Sequence, residues 1–194
     1  MSNEAETKLT VLNVRGLKVG LGPYLAEHDE IFKGYLQDPE VAIYGSGTFR
    51  GPLDITEALS YEEVKKRGLS FTIFELEKLS MIGSVMLRDL NYRDGVASLG
   101  VSIGRKEYWS KGYGTEAIKL TLDYGFRFLN LYNIALDTME FNLRGQKAYQ
   151  KAGFKEIGRR RGAVLMNGKR YDEIHMDCLA SEFESPVPGW FSIE

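Results

Sequence analysis

Three strand-like segments follow one another in the middle of the chain, and they constrain the fold more than any other feature. Each is rich in β-branched and aromatic residues and alternates with a period of two. Short turns join them, and one of these turns carries the hairpin-forming pair Asp94-Gly95. The pattern predicts a block of antiparallel strands at residues 71–76 (FTIFEL), 81–87 (MIGSVML) and 97–104 (ASLGVSIG).

Helical patterns lie on both sides of this block. The expected elements before it are a strand at 17–21, helices at 25–36 and about 56–66, and a loop at 45–52. Those after it are a helix at 115–128, a strand at 133–141, a short helix between Asn142 and Gly153, and strands at 154–159 and 170–179. The order β-α-α-β-β-β-α-β-α-β-β predicts an α+β fold, in which helices flank a mixed, mostly antiparallel sheet.

Composition excludes several classes of function. The 194 residues carry 25 basic and 27 acidic side chains, a net charge of −2, so the chain has no electrostatic reason to bind nucleic acid or an anionic membrane. Cys178 is the only cysteine, which excludes internal disulfides and cysteine-rich zinc sites. With two distant histidines, no metal site is expected. No secretory signal and no long apolar run is visible, so we expect a cytoplasmic protein.

The strongest functional signal lies at residues 101–117 (VSIGRKEYWSKGYGTEA). A strand leads into a loop that contains Gly112 and Gly114, and a helix begins at once. Glycines let another group approach the backbone closely, and the free N–H groups of a helix N-terminus attract anions. Lys111 adds a full positive charge. Unless the glycines serve only the turn, we expect the backbone from Lys111 to Thr115 to bind the diphosphate of a nucleotide.

Two nucleotide cofactors compete for this loop. The stretch from Gly112 to Ala117 matches the dinucleotide fingerprint GxGxxA, and Asp137 follows about 20 residues later, where a ribose ligand is expected. That fingerprint requires a glycine directly after its strand within a parallel βαβ unit, whereas residues 105–111 intervene here and the preceding strands read as hairpins. We therefore disfavour a nicotinamide-dependent oxidoreductase. Coenzyme A explains more residues, because a second motif follows at 142–154 (NLRGQKAYQKAGF).

Taken together, these motifs resemble the GNAT superfamily of N-acetyltransferases. The branch with the greatest similarity contains the RimJ/RimL-type ribosomal-protein N-terminal acetyltransferases and spermidine acetyltransferase. The resemblance covers residues 17–180, between an N-terminal tail (1–16) and a C-terminal tail (181–194). It differs from the family pattern at Trp109, where glutamine or arginine is common, and at Gly145, where alanine is common. The matching segments are 36–41 (LQDPEV), 103–117 (IGRKEYWSKGYGTEA), Asn142, Tyr149, Gly153-Phe154 and 171–176 (YDEIHM).

The resemblance implies a fold with a splayed central strand pair, and an activity. It implies transfer of an acetyl group from acetyl-CoA to a primary amine, such as a protein N-terminus, a polyamine or another small amine, within a ternary complex. A backbone N–H of strand 99–103 is expected to meet the thioester carbonyl. Tyr149 is expected to protonate the departing thiolate. Asn142, the second expected catalytic residue, caps the short helix and is expected to contact the cofactor as well. The expected cofactor-binding residues are Val101, Ser102, Ile103, Lys111, Gly112, Tyr113, Gly114, Thr115, Asn142 and Tyr149.

Some features of the reaction stay open at this point. The attacking amine must lose a proton, and four side chains on or beside strands are candidates for the base: Glu75, Glu140, Glu173 and His175. Because none of them is singled out, a domain that binds CoA or an acyl-CoA as a sensor, without turnover, is the alternative. Trp190 and Phe191 in the C-terminal tail pack either on the domain or on a partner subunit, so a homodimer is one option.

Overall fold

One eight-stranded sheet organises the chain. A computed structural model describes residues 12–46 and 61–186. The strand order is β1-β2-β3-β4-β5-β6-β8-β7, and all neighbours are antiparallel except β5 and β6. The predicted α+β class with a mixed, mostly antiparallel sheet is therefore confirmed. The strands are β1 (Val14–Arg15), β2 (Val19–Pro23), β3 (Gly68–Glu75), β4 (Met81–Asn91), β5 (Val96–Ile103), β6 (Asn133–Met139), β7 (Lys155–Met166) and β8 (Lys169–Leu179).

The described α-helices are α1 (Asp29–Leu36), α2 (Pro39–Ser46), α3 (Tyr61–Arg67), α4 (Tyr113–Arg127) and α5 (Leu143–Ala152). No helix in the described part of the chain combines the length and the apolar character needed to cross a membrane. The helix predicted at 56–66 is described only from Tyr61 onward. Most of the loop predicted at 45–52, together with Trp190 and Phe191, lies outside the described residues.

Helix α2 is an element that the sequence did not predict. Pro39 occupies its first position, where a missing N–H breaks no helical hydrogen bond and the fixed φ favours the helix. The Asp38 carboxylate accepts hydrogen bonds from the N–H groups of Glu40 (2.9 Å) and Val41 (3.4 Å), which caps the helix. Pro39, three residues after the end of α1 at Leu36, therefore begins a second helix.

Helix α5 follows the predicted end signals closely. The Asn142 side-chain oxygen accepts a hydrogen bond from the N–H of Gly145 at 3.0 Å and caps the N-terminus. Gly153 follows the last helical residue with a φ of +113°, the left-handed conformation that ends many helices. The two caps fix where α5 begins after β6 and where it ends before β7.

The core forms between the sheet and α4. Ile118, Leu120 and Leu122 of α4 are fully buried, and the helix contacts β2, β4 and β5. Burial of each such side chain contributes about 1.5–3 kcal/mol to the free energy of unfolding. In β8 the residues from Ile174 to Cys178 alternate between the core and the opposite face, as their period of two predicts. The buried side chains of α4 hold this helix against the sheet, with its N-terminus at the end of β5.

The two parallel strands separate after a short contact. β5 and β6 pair only where residues 96–98 meet residues 133–135, and no further pairing joins them up to Ile103 and Met139. β5 stays paired with β4 and β6 with β8, so the two halves of the sheet diverge at this point. The predicted splayed strand pair is present, and it opens a gap in the centre of the sheet.

The N-terminal part of the sheet begins before residue 17. Val14 of β1 is 2% exposed and belongs to the hydrophobic core. The domain boundaries at residues 17 and 180 stay predictions.

Candidate active site

A cavity of about 630 Å³ opens where β5 and β6 diverge. Its volume is typical of a site for a cofactor or a small molecule. Five parts of the chain line it: the end of β5, the glycine loop with the first turn of α4, helix α5, the C-terminal end of α2, and Lys18 in the turn between β1 and β2. The gap in the sheet and the helix N-terminus therefore belong to one continuous space.

Most of the predicted cofactor residues lie in this space. Two do not line it: the Lys111 residue is exposed, and the Tyr113 ring packs edge-on against the ring of Tyr108, with 4.9 Å between centroids. The roles of all ten as cofactor ligands stay predictions. Those that line the cavity are Val101, Ser102, Ile103, Gly112, Gly114, Thr115, Asn142 and Tyr149.

The glycine loop leaves hydrogen-bond donors free at the cavity. Gly112 has a φ of +89°, a left-handed conformation that lets the chain turn sharply into α4. In the described part of the chain, the backbone N–H groups from Tyr113 to Thr115 have no acceptor, and the first bond of the helix joins the Glu116 N–H to the Gly112 carbonyl at 3.0 Å. Three N–H groups that carry partial positive charge are thus available to an anion.

An aromatic and cationic cluster closes one side of the cavity. The Arg144 guanidinium lies 3.4 Å from the centre of the Trp109 ring and 4.7 Å from that of Tyr44. The Trp109 indole N–H donates a hydrogen bond to the Ile103 carbonyl at 2.7 Å, which ties the glycine loop to the end of β5. The pKa of Arg144 is lowered mainly by burial. Sequence reasoning missed Arg144 and Tyr44, because no spacing along the chain shows that α2 and α5 meet.

Asn142 connects three elements around the cavity. Besides capping α5, its amide nitrogen donates to the Thr138 hydroxyl at 3.2 Å and to the Tyr44 carbonyl at 3.4 Å. The side chain is 4% exposed, and both of its amide hydrogens are engaged within the protein. The structure thus gives Asn142 a positioning role between α2, β6 and α5. Its predicted part in catalysis stays a prediction.

Tyr149 lies two turns further along α5 and also lines the cavity. Its ring contacts that of Phe154, with 6.1 Å between centroids. Burial raises the pKa of Tyr149 to about 12, and the nearby positive charge of Arg144 partly opposes this shift. The hydroxyl is therefore protonated throughout the physiological pH range and can donate a hydrogen bond into the cavity.

None of the four base candidates lines the cavity. The Glu140 carboxylate accepts a hydrogen bond from the Asp172 N–H at 3.1 Å. His175 Nδ1 lies 2.5 Å from Asp137 Oδ1, and Glu173 lies 3.9 Å from the other nitrogen of that ring. Among the described lining residues, Glu116 is the only carboxylate, and it accepts hydrogen bonds from the N–H groups at 17 and 18.

Glu75, the fourth candidate, is a structural residue of the β3–β4 turn. It is 3% exposed, and its carboxylate accepts hydrogen bonds from the N–H groups of Lys78 (2.8 Å), Glu77 (3.0 Å) and Ser80 (3.4 Å). Burial alone raises the pKa of a carboxyl group, but these hydrogen bonds outweigh it and hold the pKa of Glu75 below its usual value. The charged form of Glu75 therefore stabilises the turn.

We expect Glu75→Gln to lower the free energy of unfolding by about 1–2 kcal/mol at pH 7 without changing kcat. A carboxyl group whose pKa is lowered on folding stabilises the protein above its unfolded pKa of about 4.3, and loses that contribution as the pH falls through the folded pKa. In urea unfolding, the difference between the parent and the variant should shrink as the pH is lowered from 5 toward 2. A tenfold fall in kcat would instead return Glu75 to the candidate bases.

The topology also argues against the dinucleotide fingerprint. The strand before the glycine loop, β5, is antiparallel to β4, and residues 104–112 separate it from α4. Asp137, the expected ribose ligand, lies beside His175 and does not line the cavity. β5, α4 and β6 do form a parallel βαβ unit, but its glycines do not follow β5 directly and its acidic residue is not in the cavity, as nicotinamide binding would require.

Comparisons with known proteins agree with the fold. Residues 18–155 match the family described as Acetyltransferase (GNAT) domain. An uncharacterized N-acetyltransferase, p20, from Bacillus licheniformis is 27% identical over 81% of this chain and 90% of its own length. Spermidine N(1)-acetyltransferase from Escherichia coli K12 is 33% identical over 55% of this chain, and the match spans only 58% of that enzyme.

A solved structure shows the same fold. Spermidine N-acetyltransferase from Vibrio cholerae, in complex with CoA and spermine, superposes with a TM-score of 0.71 over 85% of this chain and 97% of its own, at 23% identity. The match to the family model makes the chain an acyltransferase. The chain belongs to the GNAT acetyltransferases, which transfer an acetyl group from acetyl-CoA to an amine.

Proposed function

We propose that this protein transfers an acetyl group from acetyl-CoA directly to a primary amine within a ternary complex. The observation that carries this proposal is the cavity itself, in which the free amides of the first turn of α4 and the Tyr149 residue line one space between the splayed strands. The acceptor is a polyamine, another small amine or a protein N-terminus. The similarity to a spermidine acetyltransferase supports the polyamine.

Charge in the cavity supports an anionic cofactor. Three basic residues of α5 line it, together with Lys18 of the β1–β2 turn. Only one described lining residue, Glu116, carries a carboxylate. Because coenzyme A carries three phosphates, an excess of positive charge attracts it over a distance of about a Debye length. The three residues of α5 are Arg144, Lys147 and Lys151.

The end of β5 offers a backbone hydrogen-bond donor for the thioester carbonyl. The Gly104 N–H donates to the Ile82 carbonyl of β4, at 2.9 Å. Because successive N–H groups of a strand point to opposite sides, the N–H of Val101 is directed away from β4, into the gap that β6 has left. We assign this N–H to the thioester carbonyl, where a preorganised donor contributes about 3 kcal/mol to transition-state stabilisation.

Protons must leave the amine and reach the sulfur. The described cavity lining offers no free carboxylate or imidazole, so the attacking ammonium loses its proton to water. The neutral amine attacks the carbonyl carbon, the C–N bond forms, and as the C–S bond breaks the nitrogen loses a second proton to water. The Tyr149 hydroxyl donates a hydrogen bond to the departing thiolate, which takes one proton from water to become CoA-SH.

The test measures free thiol from acetyl-CoA in the presence of a panel that contains spermidine, a small monoamine and a peptide with a free N-terminus. We expect at least one amine to release thiol at a rate proportional to enzyme concentration, and the acetylated amine to appear in equal amount. Acetyl-CoA should also raise the melting temperature. A rise in melting temperature with no thiol release from any amine would favour the non-catalytic sensor, and no rise would contradict the assignment of the cavity.

A further inference from the structure

Lys18 lies over the glycine loop, although it is 93 residues away from Lys111 in the chain. Its ammonium nitrogen donates a hydrogen bond to the Lys111 carbonyl at 3.0 Å and lies 5.8 Å from the centre of the Tyr113 ring. A Cβ atom built on Gly112 would be 3.7 Å from the same nitrogen. Lys18 also lines the cavity, so its positive charge stands beside the free amides of α4.

A second contact holds this lysine in place. The Glu116 carboxylate, in the first turn of α4, accepts hydrogen bonds from the backbone N–H groups of Leu17 and Lys18, the latter at 3.0 Å. Gly16 makes the close approach feasible, since a Cβ atom there would lie 2.2 Å from the carboxylate oxygen. The turn between β1 and β2 is therefore fastened to the helix that carries the anion site, and the direction of the Lys18 side chain is restricted.

We propose that Lys18 binds the diphosphate of coenzyme A and supplies the positive charge that the sequence assigned to Lys111. The proposal rests on the proposed function, because it needs acetyl-CoA in this cavity. Lys111 is adjacent to the motif in sequence, and both lysines are exposed, but only Lys18 lines the cavity. Lys18 needs only to exchange a carbonyl oxygen for a phosphate oxygen, which accepts a stronger, charge-assisted hydrogen bond.

The experiment compares acetyl-CoA binding, by calorimetry, in the parent and in four variants: Lys18→Met, Lys18→Arg, Lys111→Met and Lys78→Met. We expect Lys18→Met to raise the Kd by at least about 10-fold, as for a lost hydrogen bond to a charged group. Lys18→Arg should recover most of the affinity. Lys78→Met removes an exposed lysine of the β3–β4 turn that does not line the cavity, and it serves as the matched control.

A truncated acetyl donor distinguishes binding of the diphosphate charge from a general change in the shape of the site. S-acetylpantetheine carries the thioester arm without the diphosphate, so the loss caused by Lys18→Met is expected to disappear when this donor replaces acetyl-CoA. The proposal is overturned if Lys18→Met binds acetyl-CoA within twofold of the parent, or if Lys111→Met rather than Lys18→Met raises the Kd. It is also overturned if Lys18→Met weakens the binding of acetyl-CoA and of S-acetylpantetheine equally. If the parent itself neither binds acetyl-CoA nor releases thiol, the proposed function fails instead.

Discussion

Replacement of Tyr149 by phenylalanine is expected to lower kcat about 10²-fold and to leave the Kd of acetyl-CoA within twofold of the parent. In the proposed mechanism the hydroxyl meets the sulfur only as the C–S bond breaks, so its hydrogen bond would stabilise the transition state more than the bound thioester. A hydrogen bond to a developing charge contributes about 1.5–3 kcal/mol, and 2.7 kcal/mol corresponds to about 10²-fold in rate. Steady-state kinetics with a saturating amine, together with calorimetry, measure the two quantities.

The pKa of Tyr149 adds a second expectation to this result. At about 12, it lies well above the value of about 8.5 for a thiol. Outright proton transfer to a thiolate is therefore unfavourable, and a strong hydrogen bond is the main contribution. It follows that the parent loses no activity through ionisation of this phenol between pH 6 and 10. Tyr92→Phe, on a residue that is 65% exposed in the β4–β5 turn, is the matched control. An unchanged kcat in Tyr149→Phe would remove the hydroxyl from the mechanism.

Local signals explain which parts of the fold could be predicted. The block of hairpins and helix α5 depend on turn residues and caps that act within a few positions, such as Asn142, Gly153 and Asn167-Gly168. Helix α2 was missed because Pro39 favours both the end of one helix and the first position of the next. The signal was present in the sequence, but it has two structural meanings.

Contacts between distant segments explain what the sequence could not show. Lys111 has the right charge at the right place in the motif, yet the cation over the loop comes from Lys18, which reaches it through a separate hairpin. Glu75 has the right chemistry for a base, but three backbone N–H groups of its own turn occupy it. Residue type and spacing identify the class of site, whereas its actual donors depend on side-chain directions in the folded chain.

Replacement of Gly112 by valine is expected to remove the rise in melting temperature that acetyl-CoA produces in the parent. Gly112 has a φ of +89°, which a β-branched residue adopts only with strain, so the loop must shift. That shift turns the N–H groups of Gly114 and Thr115 away from one common point. Since these donors are proposed to bind the diphosphate together, we expect the affinity for acetyl-CoA to fall at least about 10²-fold.

The effect of backbone strain on stability must be distinguished from the effect of losing the anion site on acetyl-CoA binding. Gly168 provides the control, because it too has a positive φ (+74°) but lies in the β7–β8 turn, away from the cavity lining. Gly168→Val should lower the melting temperature of the unliganded protein, as Gly112→Val does, yet keep the full rise on addition of acetyl-CoA. If Gly112→Val kept that rise as well, the amides of α4 would not be the diphosphate site. The cavity would then have to hold the cofactor through side chains, those of α5 and Lys18.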